Sequence, residues 1–432
     1  MIVIRLTEKR SRPSAAHRRP KVKLLQTPGN AVGTRRPVGR TPEQSKHPAR
    51  PSPSVCRLPI EGGLLLLDRA SNCLFAYNDT ARHVWNLIQE DHTEESLISE
   101  FARAWAIPRS RARVDISAIV AQWRAQNILV DGGLARRNSA PVKLRSVGDA
   151  CGELEAGWWS EWVCTIRGTP IAFAVETEMP GPFRLLFAHL ETPNAIPQAR
   201  LEIRTASAGE MVLVEDGRER IRTVDPAEIV GALYVAVLER TRSDLEWFAL
   251  IHGSALGAAG KGLALAGPSG SGKSTLAAGL ISRGYDFLAD DLIALSEPHG
   301  MVVPWPLPLS IKQGSIEIVE AHHPQLAEAA PYRTKGVEAR MLIPPSSAWD
   351  TDPVPLRHLV FPHFAEGAAP HARRLSPFET IERLLTDRVW LGSPITEQRM
   401  SAFLAWLDRT PAYTLSYGSL ADGMQLIADV LA

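Results

Sequence analysis

The chain has 432 residues, 45% of them apolar and 22% charged, enough for about three globular domains with sizeable cores. The net charge is +1, yet positions 1–54 hold 13 Lys and Arg against 2 acidic residues, so the rest sums to −10. That asymmetry matters more than the total: a basic tail of this kind could touch nucleic acid or anionic lipid, the alternative being a solvated extension. The run Ile229–Leu238 is too short to span a bilayer, and Met1–Leu6 is too short for a signal peptide. Four cysteines, Cys56, Cys73, Cys151 and Cys164, form neither a C-x-x-C pair nor a zinc spacing. A cytoplasmic protein with free thiols and no membrane association is expected.

Residues 1–54 carry eight prolines with many Arg, Lys and Ser and show no sustained periodicity. They read as a disordered basic tail. Residues 55–135 read as a small α/β unit. Gly63–Asp68 and Cys73–Tyr77 suggest a hairpin turning at Arg69–Asn72. Asn78-Asp79 then caps a helix with Ala81, Val84, Trp85 and Ile88 at helical spacing. Thr93 opens a second helix with Leu97, Ile98, Phe101 and Trp105. A third runs from about Val114 through Ile119, Val120 and Trp123 to Asn127-Ile128-Leu129-Val130. Strands plus three short amphipathic helices predict a winged-helix-like domain.

Residues 141–245 read as a mixed α/β lead-in. Alternation in Leu201–Arg204 and Met211–Glu215 predicts antiparallel strands, and Asp216-Gly217 a hairpin turn before Ile221. Trp158, Trp159 and Trp162 cluster near Cys164, which suits a core better than a stacking site. Asp225-Pro226 opens a helix extending to about Arg242.

The segment 246–432 contains Gly267-Pro268-Ser269-Gly270-Ser271-Gly272-Lys273-Ser274, the phosphate-cradling (Walker A) pattern G-x-x-x-x-G-K-[ST]. Leu263–Ala266 before it reads as a buried strand. Thr275–Arg283 after it reads as a helix with Leu276, Leu280 and Ile281 on one side and Gly284 at the C-cap. Backbone N–H groups of Gly267, Ser269, Gly270, Ser271, Gly272, Lys273, Ser274 and Thr275 would face the phosphates of ATP, at the positive end of the helix dipole. Lys273 would reach the β- and γ-phosphates, and the Ser274 hydroxyl would hold Mg²⁺. His252-Gly253 precedes the loop. Asp290-Asp291 follows the apolar run Tyr285–Leu288. Paired acids at a strand end opposite such a loop suit a metal-shell carboxylate and a base for an attacking hydroxyl.

Two resemblances attach to these residues. The Leu-rich hairpin, Tyr77-Asn78-x-Thr80-Ala81-x-x-Val84-Trp85, Thr93-x-Glu95-x-Leu97 and the third helix running into Asn127-Ile128-Leu129 resemble the PqqD family of peptide-recognition domains. This implies that a leader or precursor peptide adds as an extra strand to the sheet edge, beside the third helix. The alternative is a DNA-binding winged helix. Arg109, Arg111, Arg113 and Arg124 of the third helix are interrupted by Asp115 and large apolar residues, so no clean basic face forms and nucleic acid is the weaker expectation.

His252-Gly253, the phosphate loop and Arg283–Asp291 together resemble HPr serine kinase/phosphorylase, a family sharing a nucleotide-binding core with phosphoenolpyruvate carboxykinase. Weaker similarity to HPr-kinase-related proteins runs from about residue 141 onward through Leu309–Lys312, Thr334–Gly336 and Tyr413–Gly418. The resemblance implies Asp290 as catalytic acid/base, with Lys273 and with His252 near the reacting phosphate, and Ser274 and Asp291 beside the metal. Thr275 replaces the acidic residue usual after the loop serine, and Pro306–Glu320 lacks the glycine-rich signature tied to phosphorolysis. Lys312, Lys335 and Arg340 are candidates for charge on the transferring phosphoryl group. Together these readings imply an α/β chain: a PqqD-like winged helix followed by a P-loop kinase domain. The implied activity is ATP- and Mg²⁺-dependent phosphorylation of a serine hydroxyl on a recruited peptide or small protein, in a modified-peptide pathway. An ATP-binding switch that delivers a peptide without phosphorylating it is the alternative. The kinase family it resembles forms oligomers, which implies a possible homo-oligomer.

Overall fold

The computed structural model describes residues 2–5, 49–71, 73–90, 92–130, 159–176, 183–206, 209–296, 300–305, 307–334, 336–345, 347–348, 352–386, 389–391 and 396–432. Most of the tail expected to be disordered, together with Cys151, Trp158 and Lys335, lies outside these residues. Two compact units emerge. One comprises Met1–Ser146, Ser376–Thr386 and Gly392–Leu404; the other comprises Val147–Leu375, Asp387–Leu391 and Ala405–Ala432. The first unit thus takes in two segments that lie within the 246–432 stretch of the sequence reading.

The first unit holds β1 (Ile2–Arg5), β2 (Arg50–Pro51), β3 (Val55–Leu58), β4 (Leu64–Asp68), β5 (Cys73–Tyr77), α1 (Asp79–Gln89), α2 (Glu94–Ala104), α3 (Arg109–Ala125) and β6 (Leu129–Val130). Its sheet has the order β1-β5-β4-β3, antiparallel throughout, and β2 pairs β6. The expected hairpin forms, with Asp68 opposite Cys73. Every residue of β4 and β5 is buried, so neither strand shows the alternation of a half-solvated sheet. The side chains of Asn78 and Thr93 accept the N–H groups of Ala81 and Ser96 and cap α1 and α2.

Three details depart from the sequence reading. Ile2–Arg5 are a strand rather than part of an irregular tail: an Ile-Val-Ile run has high strand propensity and finds a sheet edge to pair with. The third helix starts at Arg109, five residues before Val114, because the Arg-rich first turn carries no apolar period to announce it. Val114 itself is 63% exposed. Trp105 is the C-cap of α2 and is exposed, not part of its buried face. The core is aromatic: Trp123 meets both Tyr77 and Trp85 edge-on, with ring centroids 5.6 and 5.4 Å apart. Phe378, on the helix Pro377–Thr386, closes over Gly63, where a Cβ would come within 2.1 Å of its ring.

The second unit begins with β7 (Trp159–Ile166), β8 (Thr169–Glu176), α4 (Phe183–Phe187), β9 (Ala199–Thr205), β10 (Met211–Glu215), β11 (Arg218–Thr223) and α5 (Pro226–Thr241). The five strands form a sheet of order β11-β10-β9-β8-β7. Asp216 and Gly217, both at positive φ, make the expected turn between β10 and β11. Trp162 stacks on Phe173, ring centroids 5.7 Å apart, as a core residue.

Then follow β12 (Trp247–Ile251), β13 (Gly253–Ala258), β14 (Lys261–Ala266), α6 (Lys273–Ile281), β15 (Asp286–Ala289), β16 (Ile293–Ser296), β17 (Met301–Val303), β18 (Leu309–Lys312), α7 (Ile316–Glu320), β19 (Tyr332–Thr334), β20 (Val337–Leu342), β21 (Val354–Phe364), β22 (His371–Leu375), β23 (Val389–Trp390), β24 (Ala412–Tyr417) and α8 (Leu420–Leu431). Among the described residues they build a ten-stranded sheet along β15-β13-β14-β21-β17-β16-β12-β23, with β24 joining β21 and β22, and a small sheet β18-β20-β19. The mixed α/β class follows from this arrangement. β14, β21 and β24 are parallel to one another, while β13 is antiparallel to both β14 and β15. Gly284, at positive φ, ends α6 by donating to the Ile281 carbonyl at 3.0 Å.

Candidate nucleotide and phosphoryl-transfer site

Strand direction assembles the site. Because β13 runs against both of its neighbours, its N-terminal end lies beside the C-terminal ends of β14 and β15. His252 immediately precedes β13. Gly267 immediately follows β14. Asp290 and Asp291 immediately follow β15. Three segments up to 39 residues apart in sequence therefore meet at one end of three adjacent strands.

The loop Gly267–Gly272 turns into α6 with Gly272 in the left-handed region, φ 97°, and Gly270 likewise at 91°. Only glycine fits at 272, since a Cβ would lie 2.7 Å from the Tyr417 hydroxyl and 3.3 Å from Phe364 Cβ. The loop is fastened to β21 where Phe364 N–H donates to the Ser271 carbonyl at 3.2 Å. Lys273 is buried, and its ammonium donates to the carbonyls of Gly267 at 2.5 Å and Pro268 at 3.1 Å. Thr275 donates to Ser315 Oγ at 2.9 Å, which points its hydroxyl to a neighbouring segment.

Asp290 is 1% exposed. One carboxylate oxygen accepts the hydroxyl of Ser254, also fully buried, and the other accepts Ser274 Oγ at 3.4 Å. Burial, reinforced by the negative charge of Asp291, pushes the Asp290 carboxyl up to about 7; the Ser254 bond and the Lys273 charge oppose that rise. Asp291 is only half-buried and sits at φ 62°, an uncommon conformation for a residue with a side chain. Its carbonyl accepts His252 Nδ1 at 3.0 Å. A carbonyl can only accept, so Nδ1 carries a proton.

The structure brings together Asp290, Ser274 and the phosphate loop, and joins His252 to Asp291. It separates two of the three candidate cations, Lys312 and Arg340. Lys312 Nζ donates to Ser269 Oγ at 2.6 Å, so it stands on the loop. Arg340 is held by Glu320 at 3.1 Å and by the carbonyls of Ala327 at 2.9 Å and Leu326 at 3.3 Å. Lys335 lies outside the described residues.

Sequence reasoning missed Ser254, although it directly follows His252-Gly253, and it missed the tyrosines. Tyr234 on α5 and Tyr332 on β19 have their hydroxyls pushed up by burial, and both sense Asp290 and Asp291. Tyr332 also shares a 2.5 Å hydrogen bond with Ser310.

The donor set tests the fit for nucleotide and metal. The Ser271 and Tyr417 hydroxyls are buried beside Gly272 without a hydrogen-bond partner among the described residues, and such groups call for one. A serine hydroxyl and carboxylates are the hard oxygen donors that suit Mg²⁺. Among the described residues no cluster of three or more His, Cys, Asp or Glu forms a metal cage. Mg²⁺ bound with a nucleotide does not require one, since phosphates and waters complete its shell.

Residues 63–129 match the family model described as Coenzyme PQQ synthesis protein D (PqqD), so the first unit contains a PqqD-like domain. Among curated proteins nothing matches the chain. Similar solved structures include TbiB1 in complex with the TbiA(beta) leader peptide, 17% identical, covering 20% of this chain and 98% of that one, TM-score 0.19. Another is lasso peptide synthetase B1 complexed with the leader peptide, 20% identical, covering 19% and 98%, TM-score 0.18. A third is the Hpr(Ser) kinase/phosphatase from Coxiella burnetii, 12% identical, covering 42% and 96%, TM-score 0.21. No helix among the described residues is long and apolar enough to cross a membrane.

Proposed function

We propose that the second unit is an ATP-dependent kinase that phosphorylates a hydroxyl on a peptide recruited through the PqqD-like domain. The observation that carries this reading is Asp290: a buried carboxyl raised to about 7, within hydrogen-bond reach of the phosphate-loop serine. A base of that strength takes the proton of a serine hydroxyl more readily than an ordinary carboxylate near pH 4, and it ionises at neutral pH.

In this reading the loop N–H groups and Lys273 hold the phosphates of ATP. Ser274 and the more exposed Asp291 hold Mg²⁺, which supplies neutralisation of phosphate charge. Ser254 fixes the Asp290 carboxylate. His252, oriented by the Asp291 carbonyl, faces the reacting phosphate, and Lys312 adds positive charge over the loop. The PqqD-like domain supports a peptide as the second substrate, and covalent linkage of the two modules raises the acceptor's local concentration. Modification of a ribosomally made precursor in the cytoplasm fits both modules.

The test is transfer of label from γ-labelled ATP to serine-containing peptides, including any short peptide encoded beside this gene. Transfer that Asp290→Ala abolishes supports the reading. Tight ATP binding without transfer to any peptide would replace it with a nucleotide switch, in which ATP orders loops and gates peptide delivery.

A further inference from the structure

Without β1, the PqqD-like sheet β5-β4-β3 has two edges. One is β3, whose Arg57 donates to Asn86 of α1 at 2.8 Å. The other is β5, the strand beside α3: Tyr77 donates its hydroxyl to Gln126, just past the end of α3, at 2.6 Å and packs on Trp123. A peptide that adds a strand beside the third helix must therefore use β5. That edge is already taken. β1 pairs with it antiparallel, with Ile2 opposite Ala76, Val3 opposite Phe75, Ile4 opposite Leu74 and Arg5 opposite Cys73. The helix Pro377–Thr386 lies alongside β1.

We propose that, at the β5 edge where a recruited peptide would add its strand, the chain's own Ile2–Arg5 is a tethered competitor which the incoming peptide must displace. The inference rests on the peptide-recruiting reading of the PqqD-like domain. Its physical basis is that a sheet edge offers a single row of N–H and C=O groups, so two strands cannot add to it at once. A covalently attached strand competes at an effective concentration on the order of 1 mM, however dilute the protein. A four-residue strand contributes few main-chain bonds, so a longer segment with the same backbone pattern can outcompete it. The occupant also indicates what the slot accepts: a short extended segment rich in β-branched residues, of the Ile-Val-Ile type.

Hydrogen exchange tests this on the full chain and on a chain lacking residues 2–12. Alternate amides of Cys73–Tyr77 face the β1 position. The expected result is at least tenfold faster exchange of those amides in the shortened chain, with α1–α3 protection unchanged as the control for folding. Val3→Pro with Ile4→Pro in the full-length chain gives the same outcome, because adjacent residues point their N–H groups to opposite sides and one of the two must face β5. A synthetic peptide of residues 1–12, added at millimolar concentration, restores protection to the shortened chain but does not alter the full one. Unchanged β5 exchange on deletion overturns the proposal, whatever the kinase assay shows. Exchange that opens but is not restored by the peptide also overturns it, because β1 is then a fixed part of the sheet and not a competitor. Neither outcome depends on ATP, so loss of phosphoryl transfer in Asp290→Ala and failure of this inference are read separately.

Discussion

Ser254 and Asp290 are both fully buried, 36 residues apart, and joined by a hydroxyl-to-carboxylate hydrogen bond between the start of β13 and the end of β15. This bond stabilises the ionised form of a carboxyl that its surroundings otherwise hold neutral. Removing it with Ser254→Ala is expected to move the pH at which activity rises upward by about 0.5–1 unit. A serine that served only to pack would leave the profile in place. The pH dependence of kcat/KM for wild type and variant is the measurement.

Asp290 itself makes two predictions. Phosphoryl transfer rises with pH as its carboxyl ionises, and Asp290→Asn lowers it by roughly 10²–10⁴-fold. Folding stability depends on the same group. Its folded pKa lies above the unfolded value of 3.8, so the folded state binds the proton more tightly. The resulting stability is present at low pH and is lost between pH 4 and 7, by about 4 kcal/mol at most. Urea unfolding across that range should show the fall in wild type and a flatter line in Asp290→Asn.

Gly272→Ala places a methyl group at φ 97°, in the space beside the Tyr417 hydroxyl. Strain and overlap together cost about 1–3 kcal/mol. Because the loop must shift to relieve them, ATP binding should weaken as well. Calorimetric melting and nucleotide titration read the two effects.

Lys312 and Arg340 are expected to separate. Lys312→Ala removes a cation from the loop and should lower transfer by at least tenfold with little change in melting temperature. Arg340→Ala breaks bonds to Glu320, Ala327 and Leu326 and should cost about 1–3 kcal/mol of stability with the chemistry kept. Parallel kinetics and denaturation distinguish them.

Local pattern was enough for much of the fold. Asn78 and Thr93 cap helices as their residue types suggest, Asp216-Gly217 turns a hairpin, and the loop enters a helix after a buried strand. Each depends on residues a few positions apart. The sequence pattern places the start of α3 five residues late, at about Val114, for the same reason: a polar first turn carries no period. The salt bridges of Arg109, Arg111 and Arg113 to Glu95 and Asp115 also explain why the basic side of α3 offers little free charge to DNA.

What the sequence alone determined is the chemistry available: a phosphate loop, a histidine, two acids and a peptide-recognition pattern, each encoded within a few residues. Only the tertiary structure decided their partnerships. Antiparallel pairing of β13 with both β14 and β15 set Ser254 against Asp290, burial raised the carboxyl, and β18 carried Lys312 onto the loop while Arg340 was tied elsewhere. The edge of β5 went to Ile2–Arg5 in the same way. Strand pairing and desolvation depend on which distant segments share an edge or a core, and local sequence patterns do not encode that choice.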